Sequence, residues 1–261
     1  MNKINIEYAK NLSKIQFVKH GFFGRSGGVG KPPHDTLNAS LRVNDDTGAV
    51  LENRTRIAAT FGLPLEKMLI PHQIHSNVAV VIDRLPCDAG PIIPEKTDKQ
   101  QGHDKFECDA FITNVHGLLI GVTTADCVPI LACDVKKGYI AAIHAGWRGA
   151  LVGIVEKTFE KLTSLGCTDI ICAIGPCIHQ ESFLVGEEII GKVPNEYIAN
   201  CKFDLPGYVS DKLLSCGAKD VSKINIDTFQ NEEYFSYRRQ SGARHGYGAQ
   251  FSGIMVNGEW T

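Results

Sequence analysis

Short runs of almost continuous apolar, β-branched residues recur along the chain: "VAVVI" at 78–82, "LLIGV" at 118–122, "VPILAC" at 128–133, "YIAAI" at 139–143 and "DIICAI" at 169–174. A strand with one face in water alternates apolar and polar residues, so an uninterrupted run of strand length needs cover on both faces. Helices or a second sheet must supply that cover. Helical segments are expected at 47–61, ending near Gly62, at 149–165, closed by Gly166, and at 208–216, before Gly217. Glycine just past a helix accepts the left-handed conformation that ends it. Strands and helices in this mixture point to α/β or α+β layers around a mixed β-sheet.

No repeat or low-complexity linker divides the chain, and its 261 residues suit one domain with a core large enough to need no cross-links. We read 1–261 as a single domain with one irregular loop at 83–108, where Pro86, Pro91 and Pro94 exclude regular structure. Lys plus Arg at 27 nearly balances Asp plus Glu at 29. That balance gives no electrostatic reason to expect nucleic acid or membrane as a partner. No segment has signal-peptide or membrane-span character, so a cytoplasmic protein is expected. The nine cysteines include no C-x-x-C pair, which argues against a disulfide framework or a zinc ribbon.

Chemistry concentrates where strands begin and end, the usual place for ligands in layered α/β proteins. "PHQIHSN" puts His72 and His75 before one strand, "TTADCVPI" puts Asp126 and Cys127 between two, and "IHAGW" puts His144 after another. One Cys and two His make three donors for Zn²⁺ with a fourth position open, the pattern of a catalytic site. The same atoms also suit a Cys127 nucleophile activated by His144. Spacing alone does not decide, because the intervals are too long for a local motif and such residues are more often core or structural. "GRSGGVG" at 24–30 and "GWRG" at 146–149 offer backbone N–H groups to an anion, with Arg25 and Arg148 beside them. Arg54 and Arg56 in "ENRTR" and Arg238, Arg239 and Arg244 near the C-terminus add guanidinium groups suited to phosphate. For Arg56 a surface ion pair is the simpler expectation, and for Trp147 core packing.

Taken in order, "GRSGG", "LENR", "HQIH", "TTADCVPIL", "IHAGWRG", "IGPCI" and "YFSYRR" resemble the YfiH or laccase-domain family, sometimes labelled polyphenol oxidase. The resemblance implies a single α/β domain and a zinc held by His75, Cys127 and His144, with His72 a supporting or structural group. It also implies an enzyme that phosphorolyses adenosine, inosine, guanosine or methylthioadenosine and deaminates adenosine. Its small-molecule partners are then purine nucleosides and phosphate. Arg25, Asn53, Arg54, Arg148, Ser236 and Arg238 are the residues assigned to substrate and phosphate.

The family label carries a second activity, copper-dependent phenol oxidation. Copper suits a Cys and two His as a metal, but the chain has no H-x-H ligand pairs for a multicopper centre. A Cys127/His144 hydrolase and a metal-dependent purine-binding protein are the other readings. The chain departs from the common family pattern at Asp227, where many relatives carry Cys before Thr, at Gly30, where the family often has Ser, and in 83–108, which is longer than usual.

Overall fold

The computed structural model describes residues 3–85, 106–240 and 246–258. Most of the 83–108 loop, with its prolines, and Arg244 lie outside the described residues. In chain order the strands are β1 (Ile6–Glu7), β2 (Val18–Phe23), β3 (Met68–Leu69), β4 (Ala79–Ile82), β5 (Ala110–Thr113), β6 (Leu119–Thr124), β7 (Val128–Asp134), β8 (Ile140–Ala145), β9 (Ile170–Ile174), β10 (Ile198–Ala199), β11 (Lys202–Phe203), β12 (Asp220–Lys223) and β13 (Gln250–Val256). The helices are α1 (Thr47–Thr60), α2 (Trp147–Leu151), α3 (Ile154–Ser164), α4 (Glu187–Ile190), α5 (Leu205–Ser215) and α6 (Tyr237–Gln240).

The strands form a six-stranded sheet, order β12-β9-β7-β8-β5-β4, a five-stranded sheet, order β1-β2-β13-β6-β3, and a small β10-β11 pair. Both large sheets mix parallel and antiparallel neighbours. The apolar runs become strands covered on both faces. In β7, Ile130 and Ala132 join a cluster with Val155 and Phe159 of α3 and Val209 and Leu213 of α5. The alternate residues Leu131 and Cys133 meet Phe22, Ile120 and Ile254 from the other sheet. Phe251 and Met255 of β13 then turn outward against Ile57 and Ala58 of α1. The result is one α/β domain with four layers: α1, five-stranded sheet, six-stranded sheet, and α3 with α5. Each fully buried Leu or Ile side chain contributes about 1.5–3 kcal/mol of transfer free energy.

The helix expected over 149–165 is broken in two. Gly153 adopts φ +91° between α2 and α3, a left-handed conformation that interrupts the helical ladder. At the other end Gly166, at φ +82°, stops α3 as expected. The third helix starts earlier than its apolar pattern, at Leu205, because Asp204 caps it by accepting from the Gly207 N–H and proline occupies the first turn. β2 and β13 carry buried polar and glycine positions that hide their strand character. His20 is buried, accepts from the Ala9 N–H at 2.8 Å, and is pushed down to about 4 by burial, with the Ala9 hydrogen bond opposing the shift. Among the described residues no helix is long and apolar enough to cross a membrane.

In α1, Asn53 and Arg54 point into the protein. Asn53 donates to the carbonyls of Thr36 and Asn38 and accepts from the Val29 N–H; Arg54 Nε donates to the Ala39 carbonyl at 2.7 Å. These bonds hold the segment that carries Ser40 and Arg42 toward the cavity described below. Asn53→Ala leaves three backbone groups without their partner, each worth about 1–3 kcal/mol when buried. The expected result is a loss of about 2–4 kcal/mol, measured as a lower Tm. An unchanged Tm would contradict it.

Candidate metal centre and active-site cavity

Antiparallel register brings three strand ends together. β7 and β8 pair Pro129 with His144 and Val128 with Ala145, so Cys127, just before β7, lies toward Gly146. β5 and β8 pair Ala110 with Ile143, which puts Asp109 beside His144, and the His144 N–H donates to the Asp109 carbonyl at 2.7 Å. His75 reaches the same place from the turn before β4, where its φ is +58°. One ligand atom from each of His75, Cys127 and His144 falls within 4.8 Å of the others. The two imidazoles meet edge to face at 4.8 Å between centroids.

Asp109 is the residue that sequence reading missed. It is fully buried, its Oδ1 lies 2.8 Å from His144 Nδ1, and the same oxygen accepts from the His75 N–H at 3.0 Å. Its Oδ2 accepts from the Ser76 N–H at 2.6 Å and the Ser76 hydroxyl at 2.7 Å. One carboxylate therefore orients the His144 ring and closes the turn that carries His75. With Nδ1–H directed at a carboxylate, Nε2 is left as the electron-pair donor. Burial opposes the charged form of Asp109, but the His144 hydrogen bond and charge, with the Ser76 donors, outweigh it and hold the carboxyl below its ordinary value. The only signal in the sequence was a lone Asp opening an apolar run, immediately after the irregular loop.

Burial also opposes a Cys127 thiolate. The charge and hydrogen bond of His144, helped by His75, overcome it and bring the thiol down to about 6. In the same pair His144 moves up to about 9, against its burial, through the Cys127 charge and the Asp109 hydrogen bond. Burial pushes the thiols of Cys133, Cys172 and Cys177 the opposite way. Cys127 is thus the sulfur prepared to act as a thiolate, the form that binds metal.

The residues fit a metal ion. With Zn–N bonds of about 2.0–2.1 Å and a Zn–S bond of about 2.3 Å, tetrahedral zinc needs donors about 3.3–3.7 Å apart, a spacing that fits ligand atoms all within 4.8 Å of one another. Glycine at 146 keeps the space between donors open: a Cβ there would lie 2.9 Å from His75 Cδ2 and 3.0 Å from Cys127 Sγ. Gly146→Ala is expected to displace one of these side chains and weaken zinc binding by about 10- to 100-fold. Competition with a chelator measures this, and wild-type affinity would show that the donors tolerate the methyl group.

The three side chains open on a cavity of about 850 Å³, within the size range of small-molecule sites. Arg148 and Arg238 line it, as do Tyr237 and Tyr247, which meet edge to face at 5.0 Å. The Arg148 guanidinium stacks 4.3 Å over Trp147, so Trp147 both packs on the core and faces the cavity. Arg238 donates to the Leu184 carbonyl at 2.7 Å and lies 5.5 Å over Phe183.

The other residues assigned to substrate do not line this cavity. Arg25 is paired with Asp35 at 2.9 Å and stacked over Phe235, Asn53 and Arg54 are buried in the scaffold, and Ser236 is buried with its hydroxyl donating to Asp126. His72 lies outside the donor cluster, 3.7 Å from Glu107. Asp227 also lies outside it, accepting from the Ser182 hydroxyl and the Phe229 N–H. Arg56 makes the surface ion pair expected of it, with Glu52.

This arrangement defines a class of layered α/β proteins in which a Cys and two His form a candidate metal centre on the wall of a ligand-sized cavity. The family described as multi-copper polyphenol oxidoreductase laccase matches residues 19–257, and the chain belongs to it. A purine nucleoside phosphorylase of Corynebacterium glutamicum is 34% identical over 233 residues, covering 85% of this chain and 89% of that protein. An adenosine deaminase from an unknown prokaryotic organism is 35% identical over 188 residues, covering 69% of each chain. The crystal structure of YlmD from Geobacillus stearothermophilus superposes with a TM-score of 0.80 at 25% identity, covering 94% of this chain and 93% of that one.

Proposed function

We propose that this protein is a zinc-dependent purine nucleoside phosphorylase with accompanying adenosine deaminase activity, acting on adenosine, inosine, guanosine and methylthioadenosine. The observation that carries the reading is the convergence of His75, Cys127 and His144, backed by Asp109, on a cavity that also presents arginines and aromatic rings. His75, Cys127 and His144 would hold the zinc, which when bound supplies Lewis acidity and eases deprotonation of water. Arg148 and Arg238 present guanidinium groups to phosphate. Arg25 and Arg54 leave that role, because their side chains are engaged with Asp35 and Ala39. Tyr237 and Tyr247 offer flat apolar faces to the purine. Asp109 keeps the His144 ring fixed with its proton on Nδ1.

Phenol oxidation by a multicopper centre is disfavoured, since the described residues contain one group of metal-capable side chains. Copper itself suits a Cys and two His, so metal analysis belongs in the test. Purified protein of known metal content is incubated with adenosine and phosphate, and the products are separated by chromatography. Adenine with ribose 1-phosphate reports phosphorolysis, inosine reports deamination, and hypoxanthine reports both in sequence. Absence of all of them at full zinc occupancy overturns the proposal, and tight nucleoside binding without turnover points to the binding-protein reading.

A second reading has its own observation: Asp109, His144 and Cys127 stand in the order of an acid, base and nucleophile. Equal rates of Cys127 alkylation with and without chelator would favour such a hydrolase. Protection by bound metal counts against it.

A further inference from the structure

Asp126 immediately precedes Cys127 and is buried, at φ +88°. Its Oδ1 accepts from the Thr228 hydroxyl at 2.7 Å, and its Oδ2 accepts from the Ser236 hydroxyl at 3.0 Å and the Arg238 N–H at 2.6 Å. The first N–H groups of a helix have no partner within it. Here a carboxylate from a remote turn accepts from one of them, and Ser236 Oγ, itself donating to Asp126, accepts from the Arg239 N–H at 3.1 Å. The helix so held is α6, which carries Tyr237 and Arg238 to the cavity. Through its side chain Arg238 continues the connection to Leu184 and Phe183 on the next part of the wall. Asp126 is outside the donor cluster, so its bonds serve the wall rather than the metal.

We propose that Asp126 is a positioning residue which registers the substrate-facing wall, Tyr237 and Arg238 with the Phe183–Leu184 edge, against the turn that carries Cys127. The inference rests on the proposed nucleoside reading for its kinetic consequence, but its structural core is testable without turnover. Asp126→Ala leaves three donors without an acceptor. Asp126→Asn keeps the network: the amide oxygen, placed at Oδ2, accepts from Ser236 and Arg238, and the amide nitrogen donates to the Thr228 hydroxyl, which is able to accept. Geometry is then separated from charge.

The experiment uses the zinc-loaded full chain and measures amide hydrogen exchange over residues 234–240, zinc content, and kinetics with adenosine and phosphate. Asp126→Ala is expected to speed exchange in this segment at least about tenfold and to raise KM about tenfold, with kcat changed less and zinc retained. Asp126→Asn is expected to stay within about twofold of wild type on every readout, the isosteric rescue that a positioning role demands. Ser236→Ala, which keeps the carboxylate, provides a milder variant should Asp126→Ala not fold, and is expected to speed exchange at 237–240 with zinc retained. Unchanged exchange in both Asp126→Ala and Ser236→Ala overturns the inference, as does loss of zinc together with the exchange effect. An Asp126→Asn variant as impaired as Asp126→Ala overturns it in favour of a charge role. A wild-type protein without nucleoside turnover defeats the functional proposal alone, since the exchange comparison still stands.

Discussion

Under the proposed function, replacing Cys127 by alanine is expected to abolish zinc binding and to lower nucleoside turnover by at least about 10³-fold. The sulfur is the one anionic donor of the cluster, and the neighbouring imidazoles bring its thiol down to about 6, against burial, so it offers a thiolate at neutral pH. Without it, only the imidazoles of His75 and His144 remain as donors, and His75 is held by a solvent-exposed turn. A metal that stabilises developing charge by several kcal/mol is worth about tenfold in rate for each 1.4 kcal/mol, which sets the expected loss. The measurement is zinc per protein by elemental analysis beside an adenosine phosphorolysis assay, with circular dichroism to show that the fold persists. Turnover that survives without metal would sink the zinc mechanism and leave the cavity's own residues to account for catalysis.

The second large effect belongs to Asp109. Asp109→Asn should weaken zinc binding by about 10- to 100-fold, the range found when a carboxylate behind a metal-binding histidine is lost. Every acceptor position on this carboxylate is used: Oδ1 by His144 and the His75 N–H, Oδ2 by the Ser76 N–H and hydroxyl. An asparagine in either orientation points an NH₂ at groups that donate, so either His144 loses its orientation or the His75 turn loosens. The sign of the pH dependence follows from the depressed carboxyl. Its stabilising contribution is full above the ordinary aspartate value of about 3.9 and is lost as pH falls through the lower folded value. A comparison at neutral pH therefore reads the whole effect. Chelator competition that gives wild-type affinity for the variant would show that the histidine is oriented by other means.

Much of the fold was legible because burial on both faces leaves a local mark. The runs at 128–133 and 139–143 become β7 and β8, at the centre of the six-stranded sheet. β2 and β13 escaped for the converse reason: His20, Gly21, Ser252 and Gly253 break the apolar pattern, although Gly21 pairs with Gly253 across the two strands and His20 accepts from the Ala9 N–H. The single helix expected at 149–165 failed at Gly153, which adopts a left-handed conformation between α2 and α3.

The site divides along the same line. Residue types at strand ends singled out His75, Cys127 and His144, and the family resemblance joined them into one donor set; the five apolar strands and the glycine helix stops at Gly62, Gly166 and Gly217 were likewise written in local sequence. Tertiary structure alone decided which arginines face the cavity, turning Arg54 inward and leaving Arg148 and Arg238 on its wall. It also made Asp109 the group behind His144 and Asp126 the acceptor for α6. The physical reason is that periodicity and caps act over a few residues, whereas Asp109 meets His144, and Asp126 meets Arg238, through strand register and loop packing that no local pattern encodes.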